Sequence, residues 1–238
     1  MRFIFLLLLP LFLCSPVKAQ EDLPQDYFSS PLEIPLILSG TFAELRSNHF
    51  HSGLDIKTHQ KTGLNVLASA EGYVSRIKVS HFGYGKALYI QHPNGYTTVY
   101  AHLKKFSPAI QAYIRNVQYA KESYEVEVFP NANELPVTQN ELIAYSGNSG
   151  GSGGPHLHFE IRDAAASPMN PLDFGFKIED NSHPLIEGVF VYPQGENSHV
   201  NQNNNRQKLR VIPLGNGNYI TENFEAYGTL GFGVSTVD

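Results

Sequence analysis

Between residues 54 and 102 the apolar and polar positions alternate in short runs, and the runs are separated by glycine, proline, asparagine or serine. Such alternation predicts half-buried antiparallel strands over 65–68, 72–80, 87–92 and 97–102. Pro93-Asn94-Gly95, between the last two, predicts a hairpin turn, because Asn-Gly accepts positive φ at both central positions. Upstream, 32–38 predicts a strand, Ser39-Gly40 a turn and 41–45 a further strand. Residues 108–134 break the rhythm. Ile110, Tyr113, Ile114 and Val117 recur at helical spacing there, which predicts a short helix, with 125–129 as a strand after it. Alternation resumes over 141–145 and again over 156–162. Beyond Pro184, residues 185–192, 209–211 and 219–221 read as strands and the asparagine-rich 194–207 as a polar loop, before an apolar stretch at 230–234. With no βαβ unit in this order, the predicted fold is mostly β: a compact antiparallel β-sheet domain with a short inserted helix and a C-terminal β segment.

The first nineteen residues belong to none of this. Arg2 precedes a leucine-rich run over 4–13, and Val17 and Ala19 place small residues at the positions a signal peptidase requires. This predicts a secretory signal peptide cleaved after Ala19; the run is too short, and interrupted by Pro10, for a permanent membrane span. Cys14, the one cysteine, lies inside it, and Leu13 before it is a poor match to a lipidation signal. The mature chain is therefore expected to carry no disulfide and no thiolate chemistry. Without Arg2 and Lys18 it holds 15 basic against 22 acidic residues, a formal charge of −7, with no basic block. That balance argues against a nucleic-acid partner. The expected organisation is a signal peptide over 1–19, an extension over 20–38, a main domain over 39–180 and a C-terminal β module over 181–238. The expected location is the periplasm or cell envelope, with secretion as the alternative.

Three clusters hold the chemistry: His51-x3-Asp55, Tyr100-Ala101-His102-Leu103 and His156-x-His158. Zinc takes imidazole nitrogen and carboxylate oxygen, and a catalytic site uses three protein ligands with one position left open. Any one cluster alone is weak, since His-x-His on a strand is commonly just a polar face and ten histidines make chance neighbours common. His49, two residues before His51, is a rival ligand. The tract Ser149 to Gly154 offers a loop whose glycines let a backbone approach closely.

Together, His51-Ser-Gly-Leu-Asp55, Tyr100-Ala-His102-Leu and Asn148-Ser-Gly through Gly154-Pro-His156-Leu-His158-Phe-Glu resemble the lysostaphin/LytM-type zinc metallopeptidases over about 40–175. The resemblance implies a LytM-like antiparallel β domain of the duplicated-hybrid-motif type. It implies one zinc ion held by His51, Asp55 and His158, catalytic roles for His102 and His156, and peptidoglycan peptides as substrate. Asn148, Gly150, Gly154 and Tyr100 are expected to border the substrate groove. Strand geometry agrees with splitting the His-x-His pair, because same-face neighbours lie about 6–7 Å apart along a strand. The 108–134 segment is longer than the family's minimal domain implies and reads as an insertion. Two other readings remain: a non-catalytic wall-binding activator of another hydrolase, and a protease of glycine-rich extracellular proteins.

Overall fold

The computed structural model describes residues 23–178 and 183–237, so the expected signal peptide and Cys14 lie outside the described residues. The chain divides into two units, Met1–Ile178 and Glu179–Asp238. Both are built from antiparallel strands.

In chain order the first unit holds β1 (Leu38–Gly40), β2 (Leu54–Lys57), β3 (Asn65–Leu67), β4 (Gly72–Val79), β5 (Lys86–Gln91), β6 (Thr97–Ala101) and β7 (Lys105–Phe106). Helix α1 (Pro108–Ala120) follows, then β8 (Val126–Val128), β9 (Pro136–Val137), β10 (Leu142–Tyr145), β11 (His156–Arg162) and β12 (Pro168–Met169). A large sheet runs β1-β2-β11-β6-β5-β4-β8, with β12 added beside β11 and β9 beside β4. A small sheet runs β3-β10-β7.

The period of two in these strands sorts their side chains between two faces. One face of the large sheet supplies Leu54, Ile56, Ile77, Leu88, Ile90, Tyr100, Leu157, Phe159 and Ile161 to a core shared with Val66, Phe106 and Ile143 of the small sheet. The helix lays Ile110 and Ile114 on the same core, with Tyr113 and Val117 packed beside them. Its start is set by Pro108 at the first helical position, where a missing N–H costs nothing. The other face carries Asp55, His158, Glu160 and Ala101, with β2, β11 and β6 adjacent in the sheet.

Several local expectations fail, each for a visible reason. Residues 32–37 do not form a strand; only Leu32 bridges to Val66, and Pro35 has no amide to donate to a ladder. Ser39-Gly40 is not a turn but part of β1. Gly40 is small because a Cβ there would run into the Arg46 guanidinium and Asp55 Oδ2. The turn falls at Phe42–Ala43 instead, with Ala43 at φ 61°, so 41–45 is not a strand either. The Asn-Gly hairpin forms between β5 and β6, with φ 89° at Gly95.

The second unit contains β13 (Leu185–Val200), β14 (Gln207–Leu209), β15 (Val211–Gly215), β16 (Asn218–Thr221) and β17 (Ala226–Val237). Its sheet runs β14-β13-β17, beside a β15-β16 hairpin, around a small core of Val191, Val200 and Leu209. The polar stretch 194–200, expected as loop, continues β13. Its backbone pairs with β17 across a register shift between Gln194 and His199, while its side chains stay mostly exposed.

Candidate metal centre

His51 stands on the turn entering β2, Asp55 is within β2 and His158 within β11. Strand register places His158 directly opposite Asp55 on one side and Ala101 on the other. A slip of one residue would send these side chains to the opposite face. In this register His51 Nε2, Asp55 Oδ1 and His158 Nδ1 converge, at 3.1 Å for His51–Asp55, 3.0 Å for His158–Asp55 and 3.0 Å between the two imidazoles. These three side chains could hold a metal ion.

Partners of the outer atoms fix the proton positions. His51 Nδ1–H donates to the Thr41 carbonyl at 2.8 Å, and His158 Nε2–H donates to Glu160 Oε1 at 2.8 Å. Burial pushes the Glu160 carboxyl up, but hydrogen bonds from His158 and Arg162 together outweigh this and hold it down at about 2. Both acceptors therefore demand the proton on the outer nitrogen. The inner nitrogens then present lone pairs to one another and to a carboxylate oxygen. Three lone pairs aimed at one point repel unless a cation lies among them. Without a metal a proton takes that part: burial works against the His158 cation, yet its bonds to Asp55 and Glu160 raise its pKa. Asp55 is likewise buried, yet its close contacts with His156, His158 and His51 hold it far below the usual carboxylate range. Its second oxygen accepts from Arg46 at 3.0 Å.

His102 and His156 flank this cluster, with ring centroids 4.7 Å apart. His102 lies just past β6 at φ 57°; its backbone N–H donates to the Tyr84 carbonyl at 3.0 Å and its Nδ1–H to the Ser149 carbonyl at 2.8 Å. His156 Nδ1–H donates to the Gly154 carbonyl at 2.8 Å, and its Nε2 lies 3.4 Å from Asp55 Oδ1. Burial disfavours the His102 cation and, against a smaller pull from the Ser149 carbonyl, lowers its pKa to about 4. For His156, burial is outweighed by the bonds to Asp55 and Gly154, and the pKa is raised. Two neighbouring imidazoles thus differ in basicity.

The glycine-serine loop is folded onto the turn between β4 and β5. Gly150 adopts φ 75°, a side chain there would collide with the Gly83 carbonyl, and Gly151 N–H donates to that carbonyl at 2.7 Å. Ser149 Oγ accepts from Lys86 N–H at 3.0 Å and donates to the Leu103 carbonyl at 2.8 Å. Asn148 is exposed, and Gly150 and Gly154 are half-buried. Tyr100 does not border a groove: it is 0% exposed on the core face. Its neighbour Ala101 shares the His158 face, so alternation turns Tyr100 inward, where its hydroxyl accepts from Ser69 N–H at 2.8 Å. His49 is exposed, with its Nδ1 2.6 Å from Asn48 Oδ1, and stands outside the cluster.

Glu160, Ser52, Tyr84 and Arg46 surround the site without having been singled out in the sequence. Glu160 had a signal, since it lies two residues past His158 on an alternating strand.

Residues 49–119 match the model for peptidase family M23. The matched stretch includes His51, Asp55 and His102. Over 128 residues the chain is 35% identical to the DD-carboxypeptidase/endopeptidase Mpg of Neisseria meningitidis, a match covering 54% of this chain and 23% of that protein. Over 121 residues it is 32% identical to an uncharacterized metalloprotease of Haemophilus influenzae, covering 50% and 20% respectively. Among solved structures, the catalytic domain of the M23 protein EnpA of Enterococcus faecalis matches with TM-score 0.44 and 20% identity, over 65% of this chain and 98% of that one. The chain matches about a fifth to a quarter of the length of these curated relatives.

Proposed function

We propose that residues 39–180 are the catalytic domain of an exported zinc endopeptidase that hydrolyses peptidoglycan stem peptides or cross-bridges. The observation that carries this reading is the convergence of three lone pairs, from His51 Nε2, Asp55 Oδ1 and His158 Nδ1, each fixed by a hydrogen bond on its far side. Two imidazoles and one carboxylate are the donor set of catalytic zinc sites. Bound zinc supplies a Lewis acid that lowers the pKa of water to about 7 and polarises a carbonyl.

The protein's own groups then divide the proton work. With its low pKa, His102 is neutral at neutral pH, and its Nδ1–H is committed to Ser149, so Nε2 is free to accept a proton from the attacking water. His156, whose pKa is raised, is suited to hold a proton and donate it to the developing oxyanion. Water adds to the carbonyl carbon as its proton passes to His102, the C–N bond breaks, and the departing amine takes up that proton. Similarity to a Neisseria meningitidis protein named as a DD-carboxypeptidase/endopeptidase supports a peptide substrate. Residues 1–19 support export, and among the described residues no helix is long and apolar enough to cross a membrane.

The test is muropeptide analysis of purified sacculi after digestion with the mature chain, with His156→Ala as control. New free peptide termini from the wild type alone are expected. Intact sacculi alongside cleaved glycine-rich proteins would overturn the substrate assignment.

A further inference from the structure

One carboxylate next to the metal centre is buried on the face that is not the core. Glu160 is 0% exposed, and four side chains serve it. Oε1 accepts from His158 Nε2–H at 2.8 Å, from Ser52 Oγ–H at 2.6 Å and from the Tyr84 hydroxyl. Oε2 accepts from Arg162 Nε–H at 2.5 Å. Burying an ionised carboxylate is expensive, and packing alone would be met as well by an apolar side chain. The partners show what the charge is spent on. Ser52 follows His51 directly and precedes β2, so it ties the turn between His51 and Asp55 to β11. Tyr84 belongs to the β4–β5 turn, lies tilted against His158 with ring centroids 5.0 Å apart, and its carbonyl accepts the His102 backbone N–H. One side chain therefore couples all three segments that bear the candidate ligands and His102.

Resting on the zinc reading above, we propose that Glu160 is a positioning residue: it locks His158 in the tautomer and ring orientation that present Nδ1 to the metal, while Ser52 and Tyr84 hold Glu160 in place. Imidazole ligands commonly donate their second N–H to a carboxylate, which fixes the ring and strengthens it as a ligand. If His158 were free to turn over, Nε2 would leave Glu160 and Nδ1 would leave Asp55 together. Arg162 donates to the far oxygen and so does not compete with His158 for Oε1.

The test is zinc affinity, measured by competition with a chelating dye, in the wild type, Glu160→Gln and Glu160→Ala. It is accompanied by the visible spectrum of the cobalt-substituted protein and the unfolding midpoint of each metal-free form. A loss of about 10- to 100-fold in zinc affinity is expected for Glu160→Ala, as for other outer partners of metal ligands. Glu160→Gln, which retains an acceptor for His158, is expected to recover part of the affinity and a wild-type-like cobalt spectrum. Should Glu160→Ala fail to fold, Tyr84→Phe decides: it removes one donor to Oε1 and is expected to weaken zinc several-fold. Zinc affinity within twofold of wild type in folded Glu160→Ala, or in Tyr84→Phe where that variant decides, would overturn the positioning role while leaving the zinc reading intact. A wild type that binds no zinc would overturn both.

Discussion

Asp55 and His158 are paired across β2 and β11, and Asp55 Oδ1 lies 3.0 Å from His158 Nδ1. The candidate metal centre is thus a matter of strand register as much as of residue type. Asp55→Asn keeps the shape of the side chain and removes the charge that balances two facing imidazoles and Arg46. It should lose stoichiometric zinc, read by metal analysis of the folded protein. Retained zinc would mean that the carboxylate is dispensable to the site.

Tyr100 provides a check on which face of the sheet works. Tyr100→Phe deletes the acceptor of the buried Ser69 N–H, and an unsatisfied buried group costs about 1–3 kcal/mol. Denaturant unfolding should show a loss of that size, with KM unchanged on a peptide substrate. A raised KM without loss of stability would return Tyr100 to the groove.

Gly150→Ala should impair both folding and turnover. Its φ of 75° and its close approach to Gly83 leave no room for a methyl group. A cost of about 1–2 kcal/mol follows for the left-handed conformation alone. Displacing the loop also moves the Ser149 carbonyl from His102, so kcat should fall while zinc content holds. Equal loss of zinc and kcat would show that the loop supports the metal rather than His102.

Two histidines make the fold sensitive to acid. His92 is buried, with Nδ1–H donating to the Glu71 carbonyl at 2.7 Å and Nε2 2.8 Å from Thr98 Oγ1, and burial lowers its pKa from 6.5. His102 is lowered to about 4. For both, the unfolded chain takes up a proton first as pH falls. Their contribution is complete above pH 6.5 and declines as pH drops below it, towards the folded-state values. His156 and His158, raised in the metal-free protein, act oppositely and favour the fold below their raised values. Unfolding measured from pH 7.5 to 5 should therefore show a shallower acid-side loss in His92→Gln than in wild type. Identical slopes would remove His92 from the account.

Much of the site was legible because strands have a period of two. His156, His158 and Glu160 share a face by spacing alone, and the same alternation applied to Tyr100 and Ala101 would have sent Tyr100 into the core. Motif resemblance drew Tyr100 towards the groove, against its own strand pattern. The helix at Pro108–Ala120 was visible in Ile110 and Ile114. The failures lie where tertiary pairing decides: β13 runs through a polar stretch because β17 is there to pair with it, and Gly40 is small to admit Arg46. Tyr84 has no local pattern that reveals it, since only the fold brings the β4–β5 turn against β11.

The most direct test of the account is to measure bound zinc and sacculus hydrolysis together in the wild type, His158→Ala and His156→Ala. One zinc per chain and hydrolysis are expected in the wild type, neither in His158→Ala, and zinc without hydrolysis in His156→Ala. Hydrolysis by a zinc-free His158→Ala protein would contradict it.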